Sequence, residues 1–132
     1  MPTPRIAIGV DVVEIVRVER LLERHPNAAD KLFSPAERAY CEARRRAGEH
    51  FAARFAAKEA VLKALGCGLR DGVRWRDVEV ETAENGRPSV LLHGRAESLA
   101  TELGVAQLEL SLSHAAGVAV AQAAAVLEPS GE

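Results

Sequence analysis

Apolar positions along the chain recur at two different periods, and each change of period marks an element boundary. "RIAIGVDVV" alternates Ile6, Ile8 and Val10 against Ala7, Gly9 and Asp11, predicting a strand with one side buried and Asp11 at or near its end. From Glu14 to about His25 the period becomes helical, with Ile15, Val18, Leu21 and Leu22 inward and Pro26 as the stop. "SPAE", Ser34 to Glu37, is a capping box with proline at the first helical position, opening a helix predicted to reach about Arg46. Gly48 is read as a separator before the helix "FAARFAAKEAVLKALG", with Gly66 as its terminating glycine and "GCGLRDG" as a flexible loop.

In that helix, residues placed at steps of about 100° gather Phe51, Phe55, Leu62 and Leu65 on one side. Glu59 falls at the edge of this stripe, flanked by Arg54, Lys58 and Lys63. An ion pair with Lys63 four residues on is the ordinary explanation, worth about 0.2–0.5 kcal/mol on an exposed helix. Beyond the loop, "RDVEVET" and "PSVLLHG" are short strands joined around Asn85-Gly86, a hairpin signal. "RAESLATELG" is a short helix stopped by Gly104, "QLELSLSH" alternates again, and a turn at Ala115 to Gly117 leads into a last strand. The order β-ααα-ββ-α-ββ predicts an α+β fold, a small and largely antiparallel sheet packed with helices. The 132 residues make one domain, with about 127–132 as a flexible tail.

Composition narrows the function classes. A formal net charge of −2 and an aromatic content of 4% argue against a nucleic-acid partner. No apolar run approaches the ~20 residues of a membrane span, and the start lacks a secretory pattern. The two cysteines, Cys41 and Cys67, have no metal-like spacing. The expectation is a soluble protein of a reducing cytoplasm.

Four polar residues fall at element ends where they could face a common cleft: Asp11 on the first strand, Glu59 and Lys63 on the helix, and His114 closing "LELSLSH". Two carboxylates without a Cys or His beside them form an oxygen-only set suited to magnesium, which fills its octahedron with water and substrate phosphates. A lysine four residues past such a glutamate could meet a phosphate oxygen. Individually these signals are weak, because an Asp after a strand is usually a turn or cap residue.

Together, "IGVDVVEIVRVERL", "FSPAERAYC", "FAARFAAKEAVLKALG", "GRPSVLLHG" and "LSLSHAAGVAVA" resemble, in the right order, the short bacterial holo-[acyl-carrier-protein] synthases, a 4′-phosphopantetheinyl transferase family. The resemblance runs from about Ile6 to Val126. It implies transfer of the phosphopantetheine arm of coenzyme A to a serine of apo acyl carrier protein, releasing adenosine 3′,5′-bisphosphate. It implies Asp11 and Glu59 as Mg²⁺ ligands, Lys63 on the pyrophosphate and His114 beside coenzyme A, with Arg54, Gly66 and Pro88 shaping its pocket. It further implies a homotrimer with sites between subunits. The larger, duplicated relatives carry Asp-x-Glu where Asp11 is followed here by Val12 and Val13, so a water would take the missing place. The serine proton could go to a water on the metal, to Glu59 through water, or to neutral His114.

Acyl carrier proteins are acidic, so their enzyme needs local positive charge. Arg17, Arg20 and Arg24 fall within a sector of roughly 60° on the first helix, apart from Glu19 and Glu23. The resemblance gives Arg17 and Arg24 a carrier-contacting role, and geometry adds Arg20. The run Arg44 to Arg46 reads as helix-end charge, with the cofactor's 3′-phosphate as a further possible contact. A non-catalytic coenzyme A or carrier-binding module is the competing reading. A pure binding module would have no need of the metal pair.

Overall fold

A computed structural model describes residues 3–129. Strand β1 (Arg5–Glu14) leads into α1 (Ile15–Arg24), α2 (Ala28–Leu32), α3 (Pro35–Glu42) and the long α4 (Ala47–Leu65). Two short 3₁₀ turns precede the hairpin β2 (Val78–Thr82) and β3 (Pro88–Leu92), followed by α5 (Gly94–Leu103), β4 (Val105–Ala115) and β5 (Val118–Leu127). The fold is α+β. A three-stranded antiparallel sheet has the order β1-β5-β4, and β2-β3 form a separate antiparallel pair.

Local chemistry explains the boundaries that sequence places well. Ser34 Oγ accepts from the Glu37 N–H at 3.2 Å while Glu37 Oε1 accepts from the Ser34 N–H at 2.9 Å, closing the capping box that opens α3. Gly66 ends α4 in the left-handed region at φ 68°. The hairpin turns at Gly86, whose N–H donates to Ala83 O. Other boundaries differ from expectation. Helix α3 stops at Glu42 rather than near Arg46, α2 was not foreseen, and Gly48 lies inside the first turn of α4. The loop after Gly66 contains a 3₁₀ turn at Leu69–Asp71, where Asp71 Oδ2 accepts from the Gly68 N–H. Leu127, expected in the tail, pairs with Arg5 and Val105 and is buried; residues 130–132 of that tail lie outside the described residues.

The sheet carries α4 on one face, and the interface is built from small residues. Ala119, Ala121, Ala123 and Ala125 of β5 are fully buried. A Cβ on Gly9 would lie 1.9 Å from Ala60 O and 2.7 Å from Ala64 N, so β1 and α4 approach backbone to backbone. This close approach corrects two expectations. The side of β1 turned to α4 is Ala7, Gly9, Asp11 and Val13, while Ile6, Ile8, Val10 and Val12 are 66%, 60%, 52% and 58% exposed. Asp11 pairs with Ala121 inside the strand rather than at its end.

Helix α4 is not a half-buried amphipathic helix. Its first half packs with Ile15, Val18, Phe33 and Cys41, and its second half with Val73, Val78, Val80, Ala96 and Ala100. Arg54 and Lys58, expected on its flanks, are buried at 3% and 0% exposure. The open side of its inner turns is reduced to Phe55, Glu59 and Lys63, spaced at i, i+4.

Candidate active site

Strand β1 and helix α4 bring three of the expected residues together. Lys63 Nζ donates to Asp11 Oδ1 at 3.1 Å and to Val10 O at 3.0 Å. Lys63 is therefore the partner of Asp11, and the Glu59–Lys63 surface pair is replaced by this cross-element contact. Glu59, one turn before Lys63, feels the Asp11 charge. Burial first, and then Asp11, push its carboxyl above the usual carboxylate range, with Lys63 opposing. Two neighbouring carboxylates, with a single lysine bonded to one of them, leave negative charge uncompensated. Among the described residues no group of three or more His, Cys, Asp or Glu could hold a metal, so an ion here would rest on these two carboxylates. That donor set fits magnesium, which commonly takes one or two carboxylates.

An ammonium has three donors. Two are used by Asp11 and Val10, so Lys63 keeps one for a ligand. It opens into a hollow of about 460 Å³ at the end of α4, lined also by Gly66, Cys67, Gly68, Arg70 and Asp71. Gly66 thus shares this hollow with Lys63.

The remaining cofactor-pocket candidates gather elsewhere. His114 lies on β4 opposite Ala119, two strands from β1 and so roughly 10 Å across the sheet from it. Its Nδ1 is 3.9 Å from Glu49 Oε2, in the first turn of α4. Glu49 and Glu59 are separated by roughly 15 Å along the helix at 1.5 Å per residue. Within one chain His114 does not join the Asp11–Glu59–Lys63 group, contrary to the expectation of a common cleft. It neighbours His50, whose ring packs edge-on against Tyr40 at 5.8 Å. Tyr40 is flanked by the Arg44 and Arg54 guanidinium groups, 3.8 and 4.0 Å from its ring centre. Burial works to raise the Tyr40 hydroxyl, but hydrogen bonds from Arg44 and Thr82 and the two arginine charges outweigh it and hold the hydroxyl below its ordinary value. Arg54 donates to Thr82 Oγ1 at 2.9 Å, and Thr82 pairs with Pro88, which places Arg54 and Pro88 together. Arg54 Nε is buried with no hydrogen-bond partner among the described residues, an unmet donor in a cationic, aromatic cluster.

Sequence reasoning missed Tyr40 and His50, and it read Arg44 as helix-end charge with the cofactor's 3′-phosphate as a further contact. The arginine falls in the turn after α3, where it covers Tyr40. The one available signal was "RAYCEARRR", an aromatic set among cations at helical spacing.

On α1 the arginine sector holds. Arg17, Arg20 and Arg24 line one hollow of about 560 Å³ whose apolar lining includes Val13, Leu21 and Phe55. Glu19 faces a different hollow, beside Gly48. Phe55 lies one turn of α4 before Glu59, so the arginine hollow adjoins the carboxylate side of the helix.

Comparison with known proteins defines the class. Residues 7–123 match the model of the 4′-phosphopantetheinyl transferase superfamily, and the chain belongs to that superfamily. Within it the relatives are holo-[acyl-carrier-protein] synthases. That of Moorella thermoacetica is 53% identical over 115 residues, covering 87% of this chain and 89% of the relative. That of Anaeromyxobacter sp. strain K is 48% identical over 130 residues, covering 96% and 98%. Among solved structures, the Chronobacterium ammoniagenes ACPS–CoA complex superposes with a TM-score of 0.84 at 32% identity, covering 94% of this chain and 98% of that one. The Bacillus anthracis holo-(acyl-carrier-protein) synthase in complex with CoA (3′,5′-ADP) gives 0.78 at 29%, covering 96% and 100%.

Proposed function

We propose that Asp11, Glu59 and Lys63 form the reacting end of a holo-[acyl-carrier-protein] synthase site, and that Arg54, Pro88 and His114 hold the far end of coenzyme A. The chain transfers phosphopantetheine from coenzyme A to a serine of apo acyl carrier protein, the activity its relatives are named for. The serine oxygen attacks the phosphorus bearing the pantetheine arm, the bridging P–O bond of the pyrophosphate breaks, and adenosine 3′,5′-bisphosphate leaves as the serine proton is lost. Lys63 is held in place by two of its donors and offers the third to a pyrophosphate oxygen, where charge accumulates in the transition state. A Mg²⁺ between Asp11 and Glu59 would supply further neutralisation of that charge. The observation that carries this reading is the Asp11–Lys63 contact placed beside Glu59 by β1 and α4.

The separation of the two groups along α4 favours a site completed by a second subunit. So does the exposed row Ile6, Ile8, Val10 and Val12, an apolar face of a kind that soluble chains cover by association. A homotrimer with its sites between subunits is the assembly proposed. The groove of Arg17, Arg20 and Arg24 receives the acidic carrier protein. No described helix is long and apolar enough to cross a membrane; the cytoplasm is the proposed location. The test incubates the protein with apo acyl carrier protein, coenzyme A and Mg²⁺ and reads the carrier's mass. Addition of one phosphopantetheine, dependent on Mg²⁺, is expected; an unmodified carrier would overturn the assignment.

A further inference from the structure

Lys58 and Glu37 are fully buried and take no part in the site just described. Lys58 Nζ donates to Glu37 Oε1 at 2.9 Å, to Trp75 O at 3.2 Å and to Val78 O, using all three of its protons. Glu37 in turn accepts from Ser34 N–H and, through Oε2, from Val80 N–H at 2.9 Å. One ion pair thus joins α3, α4 and the start of the hairpin. Buried pairs of this kind are poor stabilisers, since desolvation offsets their attraction and apolar replacements are often as good. Stability alone gives little reason for a lysine here.

Of the side chains on α4, Lys58 makes the most hydrogen bonds to other elements. Ala52, Ala53, Ala56, Ala57, Ala60 and Ala64 are buried beside the larger Phe51, Val61, Leu62 and Leu65, and the short side chains among them add few knobs to lock the helix into its neighbours. Lys58 precedes Glu59 directly, about 100° around the helix. With side chains reaching 5–6 Å from the axis, a turn of 20° would move the Glu59 carboxylate by roughly 2 Å. Reacting and binding groups must be held within about 0.5 Å.

We propose that Lys58, gripped by Glu37 and the Trp75 and Val78 carbonyls, is the positioning residue that sets the rotation of α4 and so aims Glu59 at Asp11. This rests on the metal-holding role given to Glu59. The test compares wild type, Lys58→Met and Lys58→Met/Glu37→Gln, the last removing the carboxylate charge that the first strands. Circular dichroism establishes folding, and Mn²⁺ binding is titrated by electron paramagnetic resonance with coenzyme A present and carrier absent. Steady-state kinetics with Mg²⁺ follow. A folded variant is expected to bind Mn²⁺ at least tenfold more weakly and to lose about 100-fold in kcat, while KM for carrier protein moves less than twofold. Wild-type Mn²⁺ affinity in a folded variant would overturn the proposal. Failure of both variants to fold would also overturn it, by making the pair a requirement of folding alone. Absence of Mn²⁺ binding in the wild type itself would instead remove the metal assignment on which the proposal stands.

Discussion

Glu59 works against the fold that holds it. Its carboxyl is raised by burial and by Asp11, so the folded chain binds that proton more tightly than the unfolded chain does. Stability from this group is present at low pH and falls as pH rises through the folded-state value. Above that value the ionised carboxylate is therefore a liability in metal-free protein. In chelator, Glu59→Gln is expected to raise the melting temperature by a few degrees, while transfer falls at least ~100-fold. Added Mg²⁺ with coenzyme A should raise the melting temperature of the wild type and not of the variant. Asp11→Asn should lose transfer to a similar degree. Thermal melts with and without chelator, alongside turnover, check all of this, and a Glu59→Gln protein with full activity would dismiss the metal role.

At the scale of elements, the contact between β1 and α4 decides where the site residues stand. Gly9 lies on the same side of β1 as Asp11, and a methyl group there would strike the Ala60 carbonyl. Gly9→Ala is expected to cost about 3 kcal/mol or more, as overpacking against backbone does, and to reduce transfer beyond what the loss of folded protein explains. Urea denaturation with activity per folded molecule measures both effects. Helix α1 makes a separate prediction. Reversing Arg17 and Arg24 to Glu should raise the KM for carrier protein about tenfold at low salt and leave the KM for coenzyme A unchanged. The difference from wild type should shrink at high salt, where screening acts within a few ångströms. A carrier KM that does not move would return these arginines to a merely solvated face.

The elements that could be read from the chain are those whose signals are local: the Ser34-Pro35-Glu37 box, Gly66, Asn85-Gly86 and the alternation in β4. What could not be read depends on partners distant in sequence. Lys58 finds Glu37 across 21 residues and Arg54 finds Thr82 across 28, so two charges that look like helix surface are interior. Which side of β1 is buried follows from the size of the α4 residues it meets, a property of the pair rather than of the strand. The Asp11, Glu59 and Lys63 set was legible because helix phase and family resemblance agreed, although Asp11 lies inside β1 rather than at its end. The separation of His114 from it was not, since spacing along a chain carries no distance across a sheet.

At the scale of the whole molecule, the assembly proposed above would tie activity to the apolar row on β1. Ile8→Lys places a charge in that row without touching α4, and is expected to leave the chain folded while lowering both its sedimentation coefficient and its turnover. A dissociated Ile8→Lys protein with full activity would show that one chain suffices. The distance along α4 between Lys63 and the Glu49–His114 contact has a genetic counterpart. If each chain contributes one end of a site, a chain lacking its carboxylates and a chain lacking its His114 are defective at opposite ends. Unfolded together and reassembled, Asp11→Asn and His114→Ala chains would then build some interfaces in which both ends are intact. Two inactive alleles in one cell would complement each other, and the same two substitutions carried on a single chain would not.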